Sequence, residues 1–110
     1  MQNMETFGEL IRNLRERNGL PIRKVAAHLD IDPSTLSKIE RNERSANREY
    51  VKKLSELFNV DEKILLVNYL SDKVMYELVN EEFSNEVLKV AEEKIKYIRS
   101  KNIKQGKLSL

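Results

Sequence analysis

The stretch IRKVAAHLDIDPSTLSKIER, residues 22–41, holds the most specific structural information in this chain. Two helix-like runs lie on either side of the short segment LDID, which contains no glycine. Asp32 followed by Pro33 is a strong helix-start signal, because a carboxylate can cap the first turn and proline fits the first helical position. The sequence therefore predicts two short helices that meet at a tight corner.

The corner has the residue types that two closely packed helices require. Ala26 lies where the helices approach each other, and a larger side chain there would hold them apart. Asp30 occupies the turn, where a left-handed backbone is expected and aspartate is tolerated better than most residues other than glycine. Ile31 and Leu36 are expected to fill the space between the helices. These are the requirements of a helix-turn-helix.

Apolar residues recur at helical spacing along most of the chain. In the first segment Phe7 and Leu14 lie on one face, and Gly19 is expected to close this helix in a left-handed conformation. Similar stripes predict a fourth helix, a fifth that begins near Asp61 and a sixth that begins near Ser84. No window alternates with period two for long enough to indicate a strand. The predicted fold is all-α.

Length and composition exclude several classes of function. The chain has 110 residues, no cysteine and a single histidine. It also lacks a glycine-rich phosphate loop and an HExxH motif, so it has little catalytic equipment. We predict no enzymatic activity, no metal and no cofactor. The absence of a long apolar run and of a signal-peptide core predicts a cytoplasmic protein that does not engage a membrane.

The net charge is only +2, but basic residues concentrate after the corner. Between Arg41 and Lys53 the only acidic residues are Glu43 and Glu49. The basic residues of this segment are Arg41, Arg44, Arg48, Lys52 and Lys53. Such a cluster indicates either a solvated helix face or a surface that binds a polyanion.

The segment LPIRKVAAHLDIDPSTLSKIERN resembles the XRE family of helix-turn-helix regulators, which includes the lambda repressor and Cro proteins. The resemblance covers residues 5–66 and implies a five-helix, lambda-repressor-like DNA-binding domain followed by C-terminal helices. It also implies that Glu40 pairs with Arg15 of the first helix. Two positions depart from the family pattern: Asp30 replaces a glycine, and Ile22 replaces a glutamine that would contact DNA.

One face of the second helix of the corner points away from the predicted core. Ser34, Ser37, Lys38 and Arg41 share this face, because they are spaced i, i+3, i+4 and i+7. A helix fits the major groove of B-DNA, and its first turns reach the base edges. The predicted base-contacting residues are Pro33, Ser34, Ser37 and Lys38. The predicted contacts to the DNA backbone are Arg23, Thr35, Arg41, Asn42 and Arg44.

The residues beyond the resemblance are too apolar to form a loose tail. The predicted domains are a DNA-binding domain at 1–66, a helical extension at 67–103 and a frayed tail at 104–110. Either the sixth helix folds back over the fifth in the same chain, or the extension forms a dimer. We favour the dimer, and the predicted dimerisation residues are Leu66, Leu70, Val74, Leu78 and Ile95.

These features predict a sequence-specific transcriptional regulator that binds double-stranded DNA as a homodimer. A two-fold dimer would recognise a palindromic operator. A repressor is favoured over an activator, because blocking a promoter requires only binding. The alternative is an antitoxin or adaptor module whose C-terminal helices bind another protein.

Overall fold

The chain folds into helices throughout the part that the structure, a computed structural model, describes: residues 4–105, with the side chains of 4–102. Six α-helices and no β-strand occur within these residues, so the all-α prediction is confirmed. The helices are α1 (Phe7–Arg17), α2 (Ile22–Leu29), α3 (Pro33–Glu40), α4 (Glu49–Phe58), α5 (Glu62–Leu78) and α6 (Ser84–Gln105).

Both ends of α1 are fixed by local signals in the sequence. At the start, the Thr6 hydroxyl accepts a bond from the Glu9 N–H at 3.2 Å. The Glu9 carboxylate accepts one from the Thr6 N–H at 2.9 Å, which completes a capping box. After the helix, Gly19 has a φ of +62°, in the left-handed region that the sequence predicted.

The corner between α2 and α3 has the predicted geometry. Asp30 adopts the left-handed conformation, with φ 59° and ψ 44°, and the Ile31 N–H donates to the Ala26 carbonyl at 3.0 Å. Ala26 and Leu36 are fully buried between the helices. One expectation fails: Asp32 is the N-cap residue, but its carboxylate makes no capping bond. The extended backbone of Asp32 and the proline that follows start the helix without it.

A single hydrophobic core joins α1 to α5. Phe7 of α1 meets Tyr69 of α5 edge-on, with ring centroids 5.4 Å apart. The fully enclosed residues of this core include Ile11, Leu29, Leu36, Leu54 and Leu65. Helix α5 begins beside Asp61 as predicted, and the Asp61 carboxylate accepts a bond from the Lys63 N–H at 2.9 Å. This packing determines which face of each short helix remains at the surface.

The chain divides into two compact units, Met1–Tyr76 and Glu77–Leu110. The predicted boundary between 66 and 67 falls inside α5. Leu65 and Tyr69, which lie on either side of this boundary, both belong to the core. The predicted frayed tail overlaps α6 at 104 and 105, and 106–110 lie outside the described residues. None of the described helices combines the length and apolar character needed to cross a membrane.

Candidate DNA-binding surface

The inner side of α3 is held firmly against the rest of the first unit. Leu36 and Ile39 are buried in the core. The Arg15 guanidinium donates to both carboxylate oxygens of Glu40, from Nε to Oε2 at 2.8 Å and from Nη2 to Oε1 at 3.1 Å. Its Nη1 also donates to the Leu20 carbonyl at 3.0 Å. The hydrogen bond to Glu40 raises the pKa of Arg15, so the guanidinium stays charged. The predicted Arg15–Glu40 pair is confirmed.

The start of α1 approaches the end of α3 very closely. A Cβ atom built on Gly8 would lie 2.1 Å from the carbonyl oxygen of Ile39 and 3.0 Å from Asn42 Oδ1. Only a glycine allows this approach, because no real Cβ contact is that short. This role could not be predicted from the sequence, since Gly8 lies inside a helical pattern, where glycine is unfavourable.

The outer side of α3 presents the predicted base-contacting residues to solvent. Pro33, Ser34 and Lys38 are exposed, and Ser37 is half-buried. Thr35, predicted to contact the DNA backbone, is also half-buried. All of these lie on the helix whose opposite side carries Leu36. The structure thus brings a hydroxyl-rich, cationic face to the surface on a rigidly anchored helix.

Arg41, at the end of α3, is engaged by its neighbours. Its Nε donates to Glu43 Oε2 at 2.7 Å, and its Nη1 donates to the Ser37 hydroxyl. Hydrogen bonding and the charge of Glu43 raise the pKa of Arg41. The same two effects, now from Arg41, lower the pKa of Glu43. An anion that approaches Arg41 would therefore compete with Glu43 for its donors.

Glu43 is a site residue that the sequence reasoning missed. Residues two apart in a helix do not face each other. The spacing of Arg41 and Glu43 therefore did not predict that their side chains pair. Asn42 between them has a φ of +63°, and this left-handed residue turns the chain so that the two side chains meet. The sequence did contain one indication of this turn, because asparagine is common in the left-handed position just after a helix.

The remaining predicted backbone contacts are at the surface. Arg23 on the first turn of α2 and Arg44 after α3 are exposed. Asn42 is also exposed, but its Oδ1 accepts a bond from the Thr6 hydroxyl at 2.8 Å. Its amide NH₂ is then the group that can donate to a phosphate. Asn42 thus has a structural role, joining the loop after α3 to the start of α1.

Helices α2 and α3 both begin without a side-chain cap. The N-cap residues are Pro21 and Asp32, and neither has a side chain that accepts a bond from the first helical turn. The N–H groups at a helix start need partners and carry positive partial charge. An anion such as a DNA phosphate is a suitable partner.

The predicted dimerisation residues are divided between the two units. In the first unit, Leu66 is half-buried against the core, whereas Leu70 and Val74 are exposed. In the second unit, Leu78 is half-buried and Ile95 is exposed. A single chain does not test these residues, and they stay a prediction.

Among the described residues, no group of three or more His, Cys, Asp or Glu side chains could hold a metal ion. The sole histidine, His28, is exposed on α2, and its Nε2 lies 3.1 Å from the Lys53 carbonyl of α4.

Two packed short helices at a left-handed turn, the second with a buried inner side and an exposed polar face, define a DNA-binding helix-turn-helix domain. A protein-family model described as "Helix-turn-helix" matches residues 11–65, half of the chain. The chain belongs to this helix-turn-helix family of the XRE type, and it is a DNA-binding regulator. No curated protein and no solved structure matches the chain significantly.

Proposed function

We propose that the protein is a sequence-specific transcriptional repressor that binds a palindromic double-stranded operator as a homodimer. The observation that carries this proposal is the two-sided character of α3. Its inner side is fixed by Leu36 and by the Glu40 ion pair, whereas Ser34 and Lys38 are exposed on its outer side. A rigid helix with exposed donors suits insertion into a major groove.

The outer face of α3 would contact bases. Lys38 can donate to guanine O6 or N7, and hydroxyls such as those of Ser34 and Ser37 bond to several base edges. Pro33 at the start of the helix would make an apolar contact with a thymine methyl group. These contacts would give the protein its sequence preference.

Residues around this face would contact phosphates and fix the register of the helix. They are Arg23, Thr35, Arg41, Asn42 and Arg44, together with the uncapped starts of α2 and α3. Arg44 is exposed and makes the simplest candidate. Arg41 would exchange its carboxylate partner Glu43 for a phosphate. Phosphate contacts of this kind position a protein without selecting sequence.

A homodimer follows from the small size of one recognition surface. A single module contacts too few base pairs to be selective among genomic sites. A two-fold dimer doubles these contacts and requires half-sites centred about 34 Å apart. We propose that Leu66, Leu70, Val74, Leu78 and Ile95 contribute to the interface. A repressor of this design would act in the cytoplasm by occupying a promoter.

A second candidate function is supported by the exposed apolar residues of α6. Leu88 is 45% exposed, Ile95 50% and Tyr97 60%. An antitoxin or adaptor module would use such residues to bind a different protein. In that case a distinct chain, rather than a second copy, would co-purify with the protein, and deletion of α6 would abolish its capture.

Selection of bound sequences from a random DNA library tests the primary proposal. We expect a palindromic consensus whose half-sites are about one helical turn apart. Binding to that consensus should weaken linearly in log affinity with log salt, because phosphate contacts release counterions. A protein that enriches no sequence, even at low salt, would overturn the proposal.

A further inference from the structure

Helix α6 has a stripe of core-type residues with a polar residue at each end. The spacing alternates between four and three residues, which is the pattern of the contact positions of a coiled coil. The residues are Ser84, Leu88, Ala91, Ile95, Ile98 and Asn102. Leu88 and Ile95 are half-exposed in the single chain, so the stripe has apolar surface that remains to be covered.

The charges of α6 divide into two blocks along its length. From Ser84 to Glu93 the charged residues are Glu86, Lys89, Glu92 and Glu93, so this half is acidic. From Lys94 to Asn102 they are Lys94, Lys96, Arg99 and Lys101, with no acidic residue. The surface ion pair between Lys96 and Glu92, at 3.8 Å, bridges the two blocks within one helix. Two copies of a helix with this charge distribution are complementary in charge when they run antiparallel.

We propose that α6 pairs with α6 of a second copy in an antiparallel coiled coil. This inference rests on the homodimer of the proposed function and assigns its contact helix and orientation. Leu88 would lie across from Ile98 of the second copy, and Ala91 across from Ile95 of the second copy. The acidic half of each helix then lies along the basic half of the other.

The register is supported by the size of the side chains at the centre. Ala91 is small, and in this register it lies across from the bulky Ile95 of the second copy, so large and small residues alternate across the contact. Because the pair is symmetric, the contact between Ala91 of one copy and Ile95 of the other occurs twice. Alternation of this kind fills an interface without voids or overlap.

The register also matches the polar residues at the two ends. Asn102 of one copy would lie across from Ser84 of the other. A serine hydroxyl and an asparagine amide can hydrogen-bond to each other, so the polar ends of the stripe match in this register.

A parallel pair of the same helices fits less well. It would match Asn102 with itself, which is one favourable contact. It would also place Lys94 beside Arg99 of the second copy and align acidic with acidic and basic with basic halves, so like charges would oppose association along the whole contact. The antiparallel register brings like charges together only at its centre, where Glu92 meets Glu92 and Lys94 meets Lys94 of the second copy.

Cysteine crosslinking tests the orientation, because the natural chain has no cysteine. Two full-length variants, Ser84→Cys and Asn102→Cys, are oxidised separately and as a mixture. A disulfide needs its two Cα atoms within about 7 Å, so we expect roughly tenfold more crosslinked dimer in the mixture than in either variant alone. Glu93→Cys, on the outer face, is the control for random collisions.

The outcomes separate the orientation from the proposed function. Crosslinking that is confined to the mixture supports the antiparallel pair. Efficient crosslinking of either variant with itself overturns it in favour of a parallel pair. Crosslinking no stronger than that of the Glu93→Cys control also overturns it, whatever the DNA result. Operator binding of the reduced variants, measured on the selected palindrome, reports separately whether the proposed dimeric regulator stands.

Discussion

Arg15 and Glu40 form a two-pronged ion pair that ties the last turn of α1 to the last residue of α3, with nitrogen–oxygen distances of 2.8 and 3.1 Å. Only 15% of the Arg15 side chain and 4% of the Glu40 side chain are exposed. Because the pair is largely enclosed, it fixes the position of the recognition helix instead of contacting DNA.

Replacing Arg15 with alanine should therefore reduce stability more than recognition. It would leave the Glu40 carboxylate buried with no cationic partner, which costs about 3 kcal/mol of unfolding free energy. Urea denaturation measures this loss, and operator affinity is then measured where the variant is still folded. We expect that affinity to change little.

The control for this substitution is Arg12→Ala on the same helix. Arg12 pairs with Glu16 at 3.4 Å, but both side chains are more than half exposed, so its loss should have little effect on stability. A large loss of operator affinity by Arg15→Ala with unchanged stability would show that Arg15 acts in the groove.

Removing the charge of Glu43 should strengthen DNA binding. Glu43 holds Arg41 by two contacts, at 2.7 and 3.4 Å, and it would face the phosphates with a negative charge. In Glu43→Gln we expect affinity to rise roughly three- to tenfold at low salt, with a steeper salt dependence as Arg41 gains a phosphate. Titration of a fluorescent operator at several salt concentrations measures both.

The matched variant for Glu43 is Glu49→Gln, which removes the same charge at the start of α4. A similar gain from both variants would mean that net charge alone is responsible. Unchanged affinity in Glu43→Gln would mean that Arg41 does not reach a phosphate.

Lys38→Ala should relax the preference for one base. The side chain is exposed on the outer face of α3 and is proposed to bond to a guanine. Loss of such a contact typically costs about 1–3 kcal/mol at one base pair and leaves the other positions unchanged. Repeating the DNA selection with the variant shows directly whether the preference is lost at one base pair and kept at the others.

Arg44→Ala provides the comparison for Lys38. As a phosphate contact, its loss should weaken binding to all sequences alike and lower the salt slope by about one. If Lys38→Ala instead gives this uniform loss, Lys38 is a backbone contact.

The corner of the fold was predictable because its determinants are adjacent in sequence. Ala26, Asp30 and Pro33 each have a local reason to be where they are, and the structure confirms their geometry. The contacts between distant segments were harder to predict. The Arg15–Glu40 pair came only from the family resemblance, and the close approach at Gly8 gave no signal at all, because side-chain periodicity does not report backbone distances.

Gly8→Ala is expected to be strongly destabilising. The added methyl group would lie 2.1 Å from the Ile39 carbonyl oxygen, so α1 and α3 would have to move apart. Forced overpacking of this kind costs about 1–3 kcal/mol, which exceeds the gain in helix propensity from alanine. Thermal or urea unfolding measures the difference.

Gly19→Ala is the control for Gly8, because the two glycines are unfavourable to replace for different reasons. Gly19 has open space around it, and its substitution is opposed only by the positive φ of +62°. That cost is about 1–2 kcal/mol. If Gly8→Ala were as stable as the natural chain, the close approach of α1 and α3 would be wrong.

Asp72 should make stability depend on pH in the direction opposite to most carboxylates. Its Oδ2 accepts a bond from the Phe7 N–H at the start of α1, at 2.9 Å. Burial raises the pKa of Asp72 above its ordinary value of 3.8, and the Phe7 bond offsets this only in part. The nearby charge of Glu9 raises the pKa further.

The direction of the effect follows from proton binding. Between the ordinary and the raised pKa, the folded protein holds this proton more tightly than the unfolded chain, so stability falls as pH rises through that window. Above the raised pKa, the unfavourable contribution is constant. Asp72→Asn keeps an oxygen acceptor for Phe7 without the charge, so it should equal or exceed the natural chain near neutral pH, by no more than about 0.5 kcal/mol.

The measurement is urea unfolding of both proteins from neutral pH down to below pH 4. Any advantage of Asp72→Asn should shrink as pH falls, because the natural side chain becomes neutral as well. Asp72→Ala, which removes the acceptor, should be less stable at every pH by about 1 kcal/mol. If the natural chain instead gains stability over Asp72→Asn as pH rises from 4 to 6, the ionised carboxylate is favourable and the raised pKa is wrong.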